Sequence, residues 1–247
     1  KIILKGELGA GGFKILPKNQ DEAFIANISY YPKNVEYWVD SKIRSNKCFI
    51  DIGSERTNKH SMDSEENKWE IMLSKKHPIE IDLEIGACKS DFELGGIPIK
   101  ELSLDVGAAD ASISFSERNP IRLKSIDIDA GACSLEMQDI GNANFESFKI
   151  EGGAGSFDLD FLGDYEGVSR IDIEIGLGSA DIVLPKNVPV QIHTDGSNWL
   201  SSIDIHNNRL DEIKDDLYES DDFEDADNKI ILTVSVGLGS VDIRFRK

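Results

Sequence analysis

The sequence predicts an all-β parallel solenoid, and two observations carry the prediction. The first is a repeat: alternating apolar strands end at Gly86, Gly107, Gly131, Gly153, Gly176 and Gly237 in the same grammar each time. The segments read IDLEIGACKSDFEL, LSLDVGAADASISF, IDIDAGACSLEM, FKIEGGAGSFDLDF, IDIEIGLGSADIVL and LTVSVGLGSVDIRF, with a weaker copy around Gly9. The second is parity. Leu102, Leu104 and Val106 alternate into a corner, Gly107 and Ala108 turn it, and Ala111, Ile113 and Phe115 alternate out. Period-two alternation marks a strand with one buried face, and a two-residue corner resets the parity so that both arms face one core.

Each element follows from that grammar. Two residues after each corner glycine stands a small side chain: Cys88, Ala109, Cys133, Gly155, Gly178 and Gly239. These suit the tight inside of a bend. The next inward rung is Phe92, Ile113, Met137, Leu159, Ile182 and Ile243. Second turns fall at Gly95-Gly96, Glu117–Pro120, Gly141-Asn142 and Gly163-Asp164. Two strands and two turns in roughly 22 residues make one coil, and about six coils are expected over residues 76–247. The corner glycines are expected either at positive φ, where a β-branched substitution at Gly176 is strained, or at a close approach of backbones. An antiparallel sandwich also gives short strands with regular turns, but it has no reason to repeat its core residue by residue.

Residues 1–75 are expected to form an N-terminal flanking unit, with an antiparallel β meander in AFIANISYY, VEYWVDSK, KCFIDIG and KWEIML. A solenoid end needs such cover because an open edge invites pairing. Residues 195–229 read as an acidic insertion, with a short helix in RLDEIKDDLY and surface loop around it.

The chain of 247 residues carries a net charge of −19, which excludes a nucleic-acid partner and disfavours an anionic membrane surface. Three cysteines are too few for a disulfide framework. Cys88 and Cys133 sit two coils apart, about 9.6 Å from the ladder spacing, beyond disulfide reach. No apolar run reaches transmembrane length, and the start at Lys1 reads as a fragment whose signal or anchor segment was removed.

No catalytic, cofactor or metal residues are expected. His60, His77, His193 and His206 have no metal-ligand spacing, no nucleophile elbow is present, and GGAGSF and GLGSAD lack the following helix that a phosphate loop needs. The candidate interaction strip is the outward position three after each small rung residue: Asp91, Glu136, Asp158, Asp181 and Asp242, with Ser112 the one neutral member. Such a strip suits a cation or a basic partner, while a solvated face that keeps a sheet soluble is the plainer reading. A second outward strip holds Asp82, Glu84, Asp105, Asp127, Asp129, Glu151, Asp172 and Glu174. Ca²⁺ is the ion that the insertion's carboxylates would take, but no calcium-loop spacing is present, and a solvated loop is expected.

The residues GAGGFKI, NKWEIML, GACKSDFELGGIPIKELSLDVGAADASISF, GACSLEMQDIGNANF, GGAGSFDLDFLG and GLGSADIVLPK together resemble the bacterial toast-rack family of envelope proteins. The sequence is also similar to the C-terminal domain of LiaF-type proteins of the response to cell-wall-active antibiotics, although it has none of their membrane helices. The resemblance spans nearly the whole chain. It implies a right-handed β-solenoid held outside or at the bacterial membrane, and related solenoid families carry an adhesin label. It implies no catalytic residues. The functional expectation is a non-catalytic, extracytoplasmic envelope module, adhesin-like or linked to signalling, whose partner is an envelope protein or cell-wall component. The alternatives are a carbohydrate-active enzyme on a β-helix scaffold and a purely structural unit that stacks end to end.

Overall fold

The computed structural model describes residues 1–57, 67–195, 200–206 and 210–247. Two open sheets are joined through the corners, and strands stack in register along both. The incoming arm is built, in spatial order, from β4 (Val35–Arg44), β5 (Lys47–Arg56), β1 (Ile2–Leu8), β7 (Ile79–Ile85), β9 (Ile99–Val106), then the leading halves of β11 (Leu123–Gln138), β12 (Phe145–Asp160), β13 (Val168–Pro185) and β18 (Lys229–Arg246), and finally β14 (Val190–Asp195), β17 (Leu217–Ser220) and β16 (Leu210–Lys214). The outgoing arm runs β3 (Phe24–Tyr30), β6 (Asn67–Ser74), β2 (Gly11–Lys18), β8 (Cys88–Glu93), β10 (Asp110–Ser114), the trailing halves of β11, β12, β13 and β18, and β15 (Ser201–His206). Pairing is parallel except at the ends, where β4–β5, β3–β6, β14–β17 and β16–β17 are antiparallel.

The parity reading holds at the level of single rungs. Ile81, Leu83 and Ile85 lie against Leu102, Leu104 and Val106. Phe157, Leu159 and Phe161 are all buried. At the second turns, asparagines tie one coil to the one before: Asn119 Nδ2 donates to the Ile99 carbonyl at 2.8 Å and Asn142 Nδ2 to the Phe115 carbonyl at 3.0 Å. Buried backbone carbonyls need such partners.

Two features differ from expectation. The antiparallel strands β3 and β4 are present, but β5 and β6 also continue the parallel ladders against β1 and β2. The same happens at the other end, where β14, just ahead of the acidic insertion, and β15, within it, pair with β18. The signal was available as a Ser-x-Asp-Ile run: Ser202–Ile205 lies in register with Ser240–Ile243. The expected short helix is instead a β16–β17 hairpin whose turn holds Asp216 at φ 63°, because Tyr218 and Leu217 are recruited to pair with Ile192 and His193. Positions 196–199 and 207–209 of the insertion lie outside the described residues.

At the corner glycines the structure decides between the two expected reasons. Positive φ occurs two residues further on, at Gly155, Gly178 and Gly239, not at Gly153, Gly176 and Gly237. The named corner glycines are required by close approach: a Cβ on Gly176 would stand 2.7 Å from the Gly153 carbonyl oxygen. At Gly178, with φ 136°, a Cβ would fall inside the Gly155 carbonyl oxygen itself. Gly178→Ala therefore meets both strain and collision, and should be at least as destabilising as Gly176→Ala in denaturant unfolding.

Across each corner the core conserves volume. The inward residue just before the glycine and the one five positions on form the pairs Ile85/Ser90, Val106/Ala111, Ala130/Leu135, Gly152/Phe157, Ile175/Ala180 and Val236/Val241. A large member faces a small one, or both are of middle size. The Gly152/Phe157 pair is the extreme: a Cβ on Gly152 would lie 2.5 Å from the Phe157 ring. Close-packed interiors permit no other arrangement at fixed coil spacing.

Phe157→Ala should cost about 3–5 kcal/mol in urea unfolding. Gly152→Ala alone should destabilise by overpacking, about 1–3 kcal/mol. The double variant Gly152→Ala/Phe157→Leu, which copies Ala130/Leu135, should lose less than the sum of its singles. Strict additivity would remove the pairwise account.

Candidate functional site

The expected strip residues fall into one register file on the outer face of the outgoing arm: Glu70, Lys14, Asp91, Ser112, Glu136, Asp158, Asp181, Asp242 and Asp204, each opposite the next. Asp204 extends the expected file by one carboxylate, so that Glu136, Asp158, Asp181, Asp242 and Asp204 run without interruption. Ladder neighbours stand about 4.8 Å apart. Asp91 lies apart from this run, separated by Ser112, and pairs with Lys14 at 3.3 Å.

Basic side chains touch the file from the side. Arg244 contacts Asp181, and His206 Nε2 lies 2.7 Å from an Asp242 carboxylate oxygen. Asp158 has no ion pair among the described residues. Desolvation, followed by repulsion from Asp181 and Glu136, raises its carboxyl above the usual range, with Arg244 pulling the other way. Next to the acid file runs a file of hydroxyls that the sequence reading passed over: Ser134, Ser156, Ser179, Ser240 and Ser202. Ser134 and Ser156 Oγ are 3.4 Å apart. Each coil here thus presents Ser-x-Asp or Ser-x-Glu outward, a two-column lattice whose signal was the repeated SLE, SFD, SAD, SVD and SID.

The second strip divides into two files on the incoming arm. Lys5, Asp82, Ser103, Asp127, Lys149 and Asp172 mix signs, with Lys5 on Asp82 at 2.7 Å. Glu7, Glu84, Asp105, Asp129, Glu151 and Glu174 form an unbroken acidic file along a shallow trough floored by the corner glycines.

The remaining candidates are structural. Burial pushes the Cys88 thiol up to about 11 and raises that of Cys133, which leaves both protonated and inert at neutral pH. His77 lies against the Asp21 carbonyl, His193 is exposed, and His60 lies outside the described residues. No group of three His, Cys, Asp or Glu side chains among the described residues is arranged to hold a metal ion. No helix there is long and apolar enough to cross a membrane.

The fold and its face define a β-solenoid that displays a periodic array of carboxylates and hydroxyls. Residues 1–138 match the family model described as the N-terminal domain of toast_rack, DUF2154, and the chain belongs to the toast-rack family. Residues 135–243 match the model described as "Cell wall-active antibiotics response LiaF, C-terminal". Among solved structures, the crystal structure of a "putative cell adhesion protein" from Clostridium sporogenes ATCC 15579 superposes with a TM-score of 0.50 at 18% identity, over 100% of this chain and 93% of that one. At that identity the likeness is one of fold. No curated protein matches the chain.

Because the folded state raises the Asp158 carboxyl, it binds that proton more tightly than the unfolded chain does. Ionisation of Asp158 therefore lowers stability at neutral pH, and the loss is recovered as pH falls toward the ordinary aspartate value. Asp158→Asn should be more stable than the parent at pH 7, and the gap should close near pH 4, about the unperturbed value. An unchanged gap across that range would exclude the electrostatic account. In the parent, CaCl₂ and NaCl at matched ionic strength should raise the melting temperature alike, by screening. A logarithmic climb with calcium alone would mean a specific ion site instead.

Proposed function

We propose that this chain is a non-catalytic, extracytoplasmic envelope module that binds a basic protein surface through its Ser-x-acid lattice. The observation that carries the reading is the uninterrupted run Glu136, Asp158, Asp181, Asp242 and Asp204. Like charges stacked at ladder spacing oppose folding. Solubility alone does not require them, since the adjacent file serves the same surface with serine. A partner that brings lysines or arginines at a comparable spacing relieves the repulsion and gains multiple charge-assisted contacts.

The family match to a cell-wall-active antibiotics response domain and the fold shared with a protein titled as a cell adhesion protein support placing this module at the envelope. Among the described residues the carboxylates stand along an open sheet face, with an open depression beside Glu136, Asp158 and Asp181, an arrangement suited to a macromolecular surface.

The test is an affinity pull-down with crosslinking from a bacterial envelope fraction. The parent is compared with Asp158→Asn/Asp181→Asn/Asp242→Asn after circular dichroism has established that both fold. Proteins recovered by the parent, lost with the triple variant and released by salt are the expected result. Equal recovery by the two forms would leave the face with a solvation role only.

A further inference from the structure

The two ends of the solenoid are unlike, and the difference is not explained by protection of edges. At one end β3 and β4 are the last strands of their sheets. β4 residues paired with the core-facing side of β5 point toward the solenoid interior, but among the described residues no further strand covers them: Tyr37 and Val39 are each 43% exposed and Ile43 is 80% exposed. Tyr30 on β3 meets Tyr37 across the opening at 4.7 Å between ring centroids. The apolar cross-section of the fold opens to water there. Residues 31–47 carry Lys33, Lys42, Arg44 and Lys47 against Glu36 and Asp40, a net positive stretch in a chain of −19.

At the other end the β16–β17 hairpin extends the incoming-arm sheet. Residues 210–228 hold ten carboxylates against Lys214, a net of 1 − 10 = −9. Ile213 on β16 is 59% exposed. β4 and β16 are thus the two outermost strands of one sheet, and each has one edge unpaired among the described residues. Natural edges are blunted by charge. Charge of one sign at both ends would suppress joining of copies, whereas opposite signs favour it.

We infer that this chain associates head to tail with further copies of itself, the open β3/β4 end of one molecule seating on the acidic β16–β17 end of the next. Val39 and Ile43 supply the apolar contact, Lys42 and Arg44 face the hairpin carboxylates, and β4 of one copy runs beside β16 of another so that the sheet continues. Such an interface is heterologous, with a different patch on each partner. It is independent of the lattice face, which remains free along the assembly.

The test is sedimentation velocity on the parent and on two variants: Val39→Asp/Ile43→Asp at the open end, and Asp211→Lys/Ile213→Lys/Asp215→Lys at the acidic end. The mass of the parent should at least double with rising concentration, and less so at high salt. Each variant alone should remain monomeric. Mixed in equal amounts they should form a dimer and stop there, because each retains one working end. Lys42→Glu/Arg44→Glu replaces the open-end variant if that one does not fold. A parent that stays monomeric up to about 1 mM, the weak limit of a specific contact, overturns the inference. So does association that survives both variants, or variants that remain monomeric on mixing, which would mean a symmetric interface.

Discussion

Coil spacing is fixed by hydrogen bonding between backbones, and everything else in the molecule accommodates that distance. Strands in register leave about 4.8 Å between equivalent residues. At the corner the chain bends so tightly that the carbonyl of one coil lies where the side chain of the next would stand, as at Gly153 beneath Gly176. The demand for small residues at the bend, the trough along it and the volume trade between residues such as Gly152 and Phe157 all descend from this one dimension.

The repeat was legible because that dimension acts on every coil alike. Parity told which side chains face inward, and the rungs Ile81 to Leu102 and Leu83 to Leu104 followed without further information. The ladder strands β5 and β6, and β14 and β15, were not legible as coil arms because their segments lack the Gly-small corner of the repeat, although Trp69 and Ile203 occupy the expected inward positions. Spatial order was legible only where successive coils stack in sequence; that β1 lies between β5 and β7, and β18 between β13 and β14, was not. Ladder hydrogen bonds join backbone to backbone and are indifferent to side chains, so sequence says little about which coil lies beside which.

The acidic strip was legible for the same reason as the core, since outward positions repeat when inward ones do. What the sequence reading did not supply was contiguity. Ser112 separates Asp91 from the longer run, while Asp204, in a coil that had not been recognised, extends it. Partial burial raises the Asp158 carboxyl first, and the charges that add to it lie 22 to 23 residues away in the chain, at Asp181 and Glu136, with Arg244 opposing them. The corner glycines were legible as a bend with two possible reasons, and only the backbone course shows that contact, not conformation, demands the missing side chain at Gly153, Gly176 and Gly237.

The placement of β18 bears on how the chain is made. It lies between β13 and the β14/β15 coil, so residues 190–195 and 201–206 sit on a strand that follows them in sequence. During vectorial synthesis or export the segment from 190 to 228 emerges with its docking surface not yet built. Within it β14, β17 and β16 can pair with one another, but the parallel partner of β14 and β15 is supplied only when residues 229–246 arrive against β13. A protease acting on the emerging chain would find this segment open, and completion of a single strand would close both coils at once.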